Sequence, residues 1–467
     1  MWLFRRRPGS RIRTEKEKIK GNAMLTERQL EIISEAIQPL FQHLEQVVIA
    51  DIARRIKKTL TYSRTAELQA MEMRRLGYSP ARIRKEAMKL LRADAEFRKM
   101  VAKNTMEYKR AVRKMINDTT RAAARAGDEI VASAGNMSWV DDLRIWKQNG
   151  KELGSNFFLE QMKEAFSAQT AGDLHNLTRS TGFRGIGGLA SIENAYHTQL
   201  DRAVLKVCTG TFDQRAALVD VIHDLAQSGL RTVDYESGRS MRLDTAARLA
   251  LRTGCHQLAG QIHNQNIMQT GENLVYVSKH WGARNTGVGH ANHEEWQGRV
   301  YFIRPGTDYS EEARRIGQDR IMDLWYSTGY SADGAHPNDP LGLYGYNCRH
   351  SHYVWFLGSS SLPADQPPPA PVTINGKTYD YYAMTQKMRA MERAVRALKR
   401  EREALETLGM DTTEIKAKIR KKTREYKEFC IACGVPTATT KMRYESGTAD
   451  LTKTEAWKRY ADLKGEG

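Results

Sequence analysis

Half of the 12 histidines of this 467-residue chain, and one of its five cysteines, lie in one stretch around residues 280–352. Imidazole and thiolate groups are zinc ligands, and four of them make a structural site. Two close pairs, His290-x-x-His293 and Cys348-x-His350, are separated by a long gap that does not match a zinc finger. The sequence predicts that His280, His293, Cys348 and His350 form one polar cluster able to hold a structural zinc ion. His290 is the substitute if His293 is not the ligand.

The same side chains also permit a cluster without metal. In a glycine-rich domain, imidazoles can hydrogen-bond to backbone groups that would otherwise be buried without a partner. A metal-dependent enzyme is a further alternative, with Glu294 or Glu295 as a general base. We expect no enzyme, because the chain contains no nucleophile-elbow, kinase or zincin pattern. No cofactor other than zinc is indicated.

The cluster must be positioned by a compact segment, residues 273–357, in which helical periodicity is lost. Within it, Leu274–Ser278 combines β-branched and aromatic residues between breakers, which predicts a strand leading to His280. The fold class predicted for the whole chain is mainly α with a small α+β central domain. Long amphipathic helical arms and a C-terminal αα-hairpin complete it.

The sequence of the arm before this segment predicts long helices. Apolar residues recur at three- and four-residue spacing from Leu30 to Ile56, behind a capping pair formed by Thr26 and Gln29. Pro39 predicts a kink in this helix. A second helix is expected to begin at Ser79-Pro80, and Gly127 is expected to end it.

Composition and turn signals divide the chain further. Residues 182–188 are glycine-rich and predict a loop, and Asn375-Gly376 predicts a hairpin turn. Met24 opens the regular pattern and is an alternative start. The predicted segments are a disordered basic leader (1–23), a basic N-terminal helical region (24–150), a helical middle region (151–272), a compact Gly/His/Trp-rich α+β domain (273–357), a proline-rich linker (358–372), a hairpin with a helical C-terminal arm (373–436) and a flexible tail (437–467).

Positive charge is concentrated in the arms. The chain has a net charge of +18, and residues 1–150 carry 32 basic and 18 acidic side chains, whereas residues 151–380 carry 21 and 24. Basic arms suit a polyanion such as DNA or an acidic protein surface, and solvated helix faces are the alternative. Five scattered cysteines favour a reducing compartment. No apolar run is long enough to span a bilayer, so we expect no membrane contact.

Short motifs follow one another in a fixed order along the chain. They are Tyr235-x-Ser237-Gly238-Arg239, Ala246–Thr253, His280-x-Gly282-Ala283-Arg284, Trp296–Tyr301, Tyr344–His350, the Gln/Arg/Lys pattern from Gln386 to Arg400, and Tyr426–Phe429. Together they resemble the phage minor capsid protein 2 family of tailed phages and prophages of Gram-positive bacteria. The resemblance covers residues 25–445. The central domain is also distantly similar to head-morphogenesis proteins of the phage Mu F type.

The resemblance implies a structural protein of the virion, located inside the head or near the portal. Its implied role is head morphogenesis, or DNA packaging and delivery, with no established enzyme activity. Its expected partners are portal and capsid proteins and packaged DNA. The DNA contact would be independent of sequence, because the chain shows no base-reading module. The expected location is the phage head, and the host cytoplasm during assembly. A pure scaffold without DNA contact is the remaining alternative.

Overall fold

The computed structural model describes residues 25–185, 188–233, 240–285, 287–346, 348–365 and 367–465. The predicted disordered leader, residues 1–23, lies outside the described residues. So do the Tyr235–Arg239 motif and Asn347. The fold is mainly α with small sheets, as predicted from the sequence.

Helices form most of the described chain. They are α1 (Glu27–Glu35), α2 (Gln38–Leu60), α3 (Arg64–Arg75), α4 (Pro80–Ala93), α5 (Ala95–Gln148), α6 (Leu159–Arg179), α7 (Ala195–Val207), α8 (Gln214–Ser228), α9 (Leu243–Gln269), α10 (His293–Trp296), α11 (Ser310–Ile316), α12 (Leu324–Thr328), α13 (Tyr381–Thr407), α14 (Thr413–Ala432) and α15 (Glu455–Gly465). Among the residues that the structure describes, no helix has a stretch long and apolar enough to cross a membrane.

The strands form three small sheets. They are β1 (Thr181–Gly185), β2 (Gly188–Ser191), β3 (Arg231–Val233), β4 (Ser240–Arg242), β5 (Leu274–Val277), β6 (Val300–Phe302), β7 (Met322–Asp323), β8 (His352–Trp355), β9 (Val372–Ile374) and β10 (Lys377–Tyr379). The strand orders are β2-β1-β3-β4, β7-β6-β5-β8 and β10-β9. The glycine-rich segment expected to be a loop therefore contributes strands β1 and β2, which pair antiparallel.

The N-terminal helices begin where local chemistry predicts. Thr26 Oγ1 accepts a hydrogen bond from the backbone N–H of Gln29, and Gln29 Oε1 accepts one from the N–H of Thr26, which completes a capping box. Instead of one kinked helix, the chain forms α1 and α2, which are separated at residues 36–37 and have Pro39 in the first turn of α2. Ser79 caps α4, whose first residue is Pro80, as expected.

Helix α5 shows that the predicted helix end at Gly127 is wrong. The helix runs through Gly127 to Gln148. Gly127 and Gly135 lie where α5 packs closely against other helices. A Cβ at Gly127 would be 3.4 Å from a methyl group of Leu174 in α6, and one at Gly135 would be 2.8 Å from Cγ of Lys163. Because these two glycines have no side chain, they allow a close contact between helices. They do not end the helix.

The central sheet packs on the helical core. Strand β5 lies at its middle, with residues 274–277 all buried, and pairs antiparallel with β6 and β8. Val275 and Val277 point into the same core cluster as Ile262 of α9, whereas Leu274 and Tyr276 belong to a smaller cluster with Trp355. The predicted strand is confirmed, and α9 packs against the neighbouring strand β8.

The C-terminal arm packs against the rest of the protein. Asn375 and Gly376 have φ of 51° and 76°, which forms the predicted turn between β9 and β10. Helices α13 and α14 form the predicted αα-hairpin, and α13 also contacts α2 and α8.

The last segment differs from the flexible tail predicted for residues 437–467. It contains α15, and the Tyr460 side chain is 1% exposed and donates a hydrogen bond to Ser133 of α5. A short amphipathic helix far from its packing partner in sequence gives little signal, so the tertiary contact with α5 was missed.

Candidate functional site

Three chain segments deliver the predicted ligands to one place. His280 follows strand β5, His293 is the first residue of α10, and Cys348 and His350 precede β8. Because β5 and β8 are paired from Leu274–Trp355 to Val277–His352, the residues just beyond these strand ends are brought together. The sheet therefore positions side chains that are about 70 residues apart in sequence.

His293, Cys348 and His350 form a compact group, which we call the His–Cys cluster. One potential metal-ligating atom from each lies within 4.8 Å of the others. Cys348 Sγ is 3.7 Å from His350 Nδ1. The three residues are only 2%, 7% and 2% exposed. The indole of Trp296 covers the two imidazoles, with ring centroids 4.6 Å from His293 and 4.8 Å from His350.

Hydrogen bonds determine which ring nitrogen carries the proton in His293 and in His350. The backbone N–H of His280 donates to Gln297 Oε1 at 2.8 Å, so this oxygen is an acceptor. His350 Nε2, 3.0 Å from the same oxygen, must therefore carry its proton. His293 Nε2 donates to the carbonyl of Leu341 at 2.8 Å. In the neutral form of each ring, the lone pair is consequently on Nδ1.

Burial keeps the cluster uncharged. It lowers the pKa of His293, and burial together with the neighbouring His280 and His293 lowers the pKa of His350 well below its ordinary value. Burial also raises the pKa of the Cys348 thiol to about 11. Two neutral imidazoles and a neutral thiol at pH 7 follow from these directions.

His280 lies beside the cluster. Its ring centroid is 5.0 Å from that of His350, but its Nε2 is 3.1 Å from Ser278 Oγ and its Nδ1 is 3.9 Å from a Glu27 carboxylate oxygen. Burial lowers its pKa. The structure thus brings three of the four predicted ligands into one group and places the fourth next to it.

Two of the three other histidines of this stretch, His290 and His352, have separate roles. His290 Nδ1 pairs with Asp339 Oδ2 at 2.9 Å, and its Nε2 is 3.2 Å from the carbonyl oxygen of Tyr326. His352 faces Tyr344, whose hydroxyl is 3.0 Å from its Nδ1, and stacks edge-on against His263. The substitute ligand His290 is therefore engaged elsewhere, and His293 is the histidine in the cluster.

Arg284 holds the loop that carries the Leu341 carbonyl. Its guanidinium donates to the carbonyl oxygens of Leu341 at 3.3 Å and Tyr346 at 2.8 Å. A Cβ on Gly345 would overlap the carbonyl of Pro340, so this loop needs glycine for its close approach. Side chains from the His280–Arg284, Trp296–Tyr301 and Tyr344–His350 motifs therefore meet at one site.

Comparison with known proteins agrees with these motifs. Residues 25–430 match the sequence model of a family described as phage minor capsid protein 2. The chain belongs to this family. A protein of Lactococcus phage LL-H described as "Structural protein" is 24% identical over 317 residues, which cover 65% of this chain and 76% of the relative. No solved structure matches.

The sequence of this minor capsid family member predicted the histidine and cysteine residues of the cluster, but not the groups that hydrogen-bond to them. Gln297 lies in the Trp296–Tyr301 motif, and its place next to an anchoring tryptophan was the available signal. The Leu341 carbonyl carried no signal, because any residue has one. The contact between Ser278 and His280 depends on where strand β5 ends, so it could not be predicted from the sequence either.

The two carboxylates considered as general bases are exposed, unlike the buried His–Cys cluster. Glu294 and Glu295 are both exposed, and Glu295 accepts a hydrogen bond from Asn292 at 2.8 Å. Two cavities, of about 280 Å³ and 410 Å³, are lined by residues 155–158 with 265–269 and by residues 302–321. Neither of these two cavities is lined by the His–Cys cluster.

Proposed function

We propose that this phage minor capsid family member is located at the portal or inside the head. There it acts in head morphogenesis or in DNA packaging and delivery. It contacts portal and capsid proteins, and it binds DNA without sequence preference. It assembles in the host cytoplasm and remains in the virion. The family match supports the capsid role. A cationic surface on α4 and α5 is the observation that supports the DNA contact.

Eight exposed basic side chains form this α4–α5 cationic surface, and none makes an ion pair with another described residue. They are Arg82, Arg84, Lys85, Lys89, Arg92, Arg98, Lys99 and Arg110. Two further basic residues of the same region are neutralised: Arg113 pairs with Glu193 at 2.8 Å, and Lys114 pairs with Asp118 at 2.7 Å. These eight side chains lie on α4 and on the first part of α5.

Unpaired cations on a helix face are suited to phosphate. Each cation that neutralises a phosphate releases condensed counterions, which favours binding at low salt and weakens it as salt rises. Contacts of this kind carry no sequence information. A protein that holds packaged DNA at the portal needs affinity for any sequence, and this surface meets that requirement. Helix faces in which each basic residue has an acidic neighbour would bind DNA less strongly.

The test uses the full chain and two triple variants of equal charge. One variant carries Arg84→Gln, Lys85→Gln and Lys89→Gln. The matched control carries Lys416→Gln, Lys418→Gln and Lys422→Gln on α14, where these lysines pair with Glu406, Glu414 and Glu425 at 2.9, 2.6 and 2.8 Å. DNA affinity is measured at several salt concentrations.

We expect the α4 variant to reduce the slope of log K against log salt by up to about 2.7, or about 0.9 per lost phosphate contact. The α14 control should change the slope much less. If the wild-type chain retains no DNA at low salt, or if both variants behave alike, the α4–α5 surface does not bind DNA. The scaffold without DNA contact would then be the better account.

A further inference from the structure

We propose that His293, Cys348 and His350 bind one Zn²⁺ ion, which fastens α10 and the segment before β8 to each other. The proposal goes beyond the function proposed above and does not depend on DNA or portal contacts. It concerns a structural metal ion that supports the central domain.

The imidazole lone pairs of His293 and His350 are on the nitrogens that a metal ion would need. His350 Nε2 carries its proton because Gln297 Oε1 is already an acceptor for the backbone N–H of His280. His293 Nε2 carries its proton because the Leu341 carbonyl can only accept. The Nδ1 atoms are thereby left unprotonated, as metal ligation requires. Fixing the far nitrogen by a carbonyl or amide oxygen is the usual second layer of a metal-binding histidine.

The distance between Cys348 Sγ and His350 Nδ1 also fits a zinc ion. A tetrahedral zinc site with Zn–S near 2.3 Å and Zn–N near 2.0–2.1 Å separates sulfur from nitrogen by about 3.6 Å. Cys348 Sγ and His350 Nδ1 are 3.7 Å apart. The ring of His293 is close enough for all three ligating atoms to lie within 4.8 Å of one another. Two of the ligands therefore already have the spacing that one ion imposes.

The ligand types of the cluster also match the preference of zinc. Two imidazoles and one thiolate are nitrogen and sulfur donors of the kind that zinc prefers, and magnesium or calcium would require oxygen ligands. On binding, the Cys348 S–H bond breaks, its proton passes to solvent, and the sulfur donates its electron pair to the ion. Both imidazoles bind in the neutral form and release no proton. Water supplies the fourth ligand, which is the coordination of catalytic zinc sites with three protein ligands, whereas the role proposed for this ion is structural.

The site joins two short segments of the chain. Helix α10 has only four residues, and Cys348 and His350 lie in irregular backbone before β8. An ion that binds both contributes its binding free energy to folding, since the unfolded chain does not preform the site. The ring of Trp296 packs against both histidines and shields the site from solvent.

The test uses the full chain without a histidine tag, purified from zinc-containing medium without chelators. Metal content is measured by plasma mass spectrometry. Cobalt is then substituted, and the absorption spectrum is recorded. Cys348→Ser and His293→Ala remove ligands. The matched controls are Cys433→Ser, a buried cysteine on the C-terminal arm, and His290→Asn, the neighbouring histidine that pairs with Asp339.

We expect one zinc per chain in the wild type and in both controls, and a thiolate-to-cobalt charge-transfer band in their cobalt forms. Both ligand variants should lose the metal, and a chelator should lower the thermal midpoint of the wild type but not theirs. A wild-type chain without stoichiometric zinc that develops no cobalt–thiolate band would overturn the proposal, and the cluster would be hydrogen-bonded only. Full metal content in Cys348→Ser would also overturn it. If the variants do not fold, wild-type stoichiometry and the cobalt spectrum still decide the question.

Discussion

The buried pair of Arg400 and Glu45 should be one of the strongest links between the N-terminal and C-terminal arms. Arg400 of α13 is 1% exposed and donates to the Glu45 carboxylate of α2 and, at 2.5 Å, to the carbonyl of Ala226 in α8. The same carboxylate accepts a hydrogen bond from the Tyr444 hydroxyl at 3.0 Å and one from the N–H of Leu230. We predict that Arg400→Met destabilises the protein strongly, because a buried carboxylate would lose its cation.

The expected loss of stability follows from the buried charge that remains without its partner. Removing one partner of a buried ion pair costs about 3–5 kcal/mol. Glu45→Gln should also destabilise, because it leaves the arginine uncompensated. The double variant should cost less than the sum of the two, with a coupling energy of about 2–3 kcal/mol. Arg402→Met is the matched control, since Arg402 is 30% exposed and lies 3.4 and 3.5 Å from Glu403 and Glu406. Its cost should be about 0–1 kcal/mol.

Urea unfolding followed by far-ultraviolet circular dichroism measures these differences for the full chain. The expected order of midpoints is wild type, then Arg402→Met close to it, then Arg400→Met well below both. If Arg400→Met shifts the midpoint no more than Arg402→Met does, the buried pair does not hold the two arms together. An additive double variant would mean that the two side chains act independently.

Two further predictions test burial and close packing. Burial raises the pKa of Asp141 from 3.8 to about 6, so its ionisation costs stability above pH 6 and costs nothing below pH 4. Asp141→Asn should therefore raise the free energy of unfolding by about 2–3 kcal/mol at pH 8 and leave it nearly unchanged at pH 4, and an equal effect at both pH values would contradict this. Gly260→Ala should destabilise by about 1–3 kcal/mol, because its Cβ would be 2.8 Å from the ring of Tyr344. Gly172→Ala, which meets no atom within 4 Å, should stabilise by about 0.5–1 kcal/mol, and thermal unfolding of both variants checks the contrast.

The parts of the fold that were predictable from sequence depend on local chemistry. A capping box at Thr26, a serine–proline helix start at Ser79 and an Asn375-Gly376 turn each satisfy their own backbone groups within a few residues. Their geometry does not depend on distant contacts. Gly127 shows the limit of such reasoning, because a glycine that ends a helix and one that admits a neighbouring helix look the same in sequence.

The candidate site was predictable in residue type and only partly in geometry. Histidine and cysteine patterns identified His293, Cys348 and His350, which lie together in the structure. Sequence spacing could not decide between His290 and His293, since the choice depends on Asp339, nearly 50 residues later, which pairs with His290. Nor could it exclude His280, whose ring is held by Ser278 and faces Glu27.

Mass spectrometry of purified DNA-filled particles and of procapsids tests the central claim most directly. As a member of the phage minor capsid protein 2 family that assembles into the head, the chain should give peptides in both preparations. The copy number should be low compared with that of the major capsid protein, as expected for a minor capsid protein. Absence of its peptides from both preparations, with portal and capsid proteins detected in the same samples, would contradict the account.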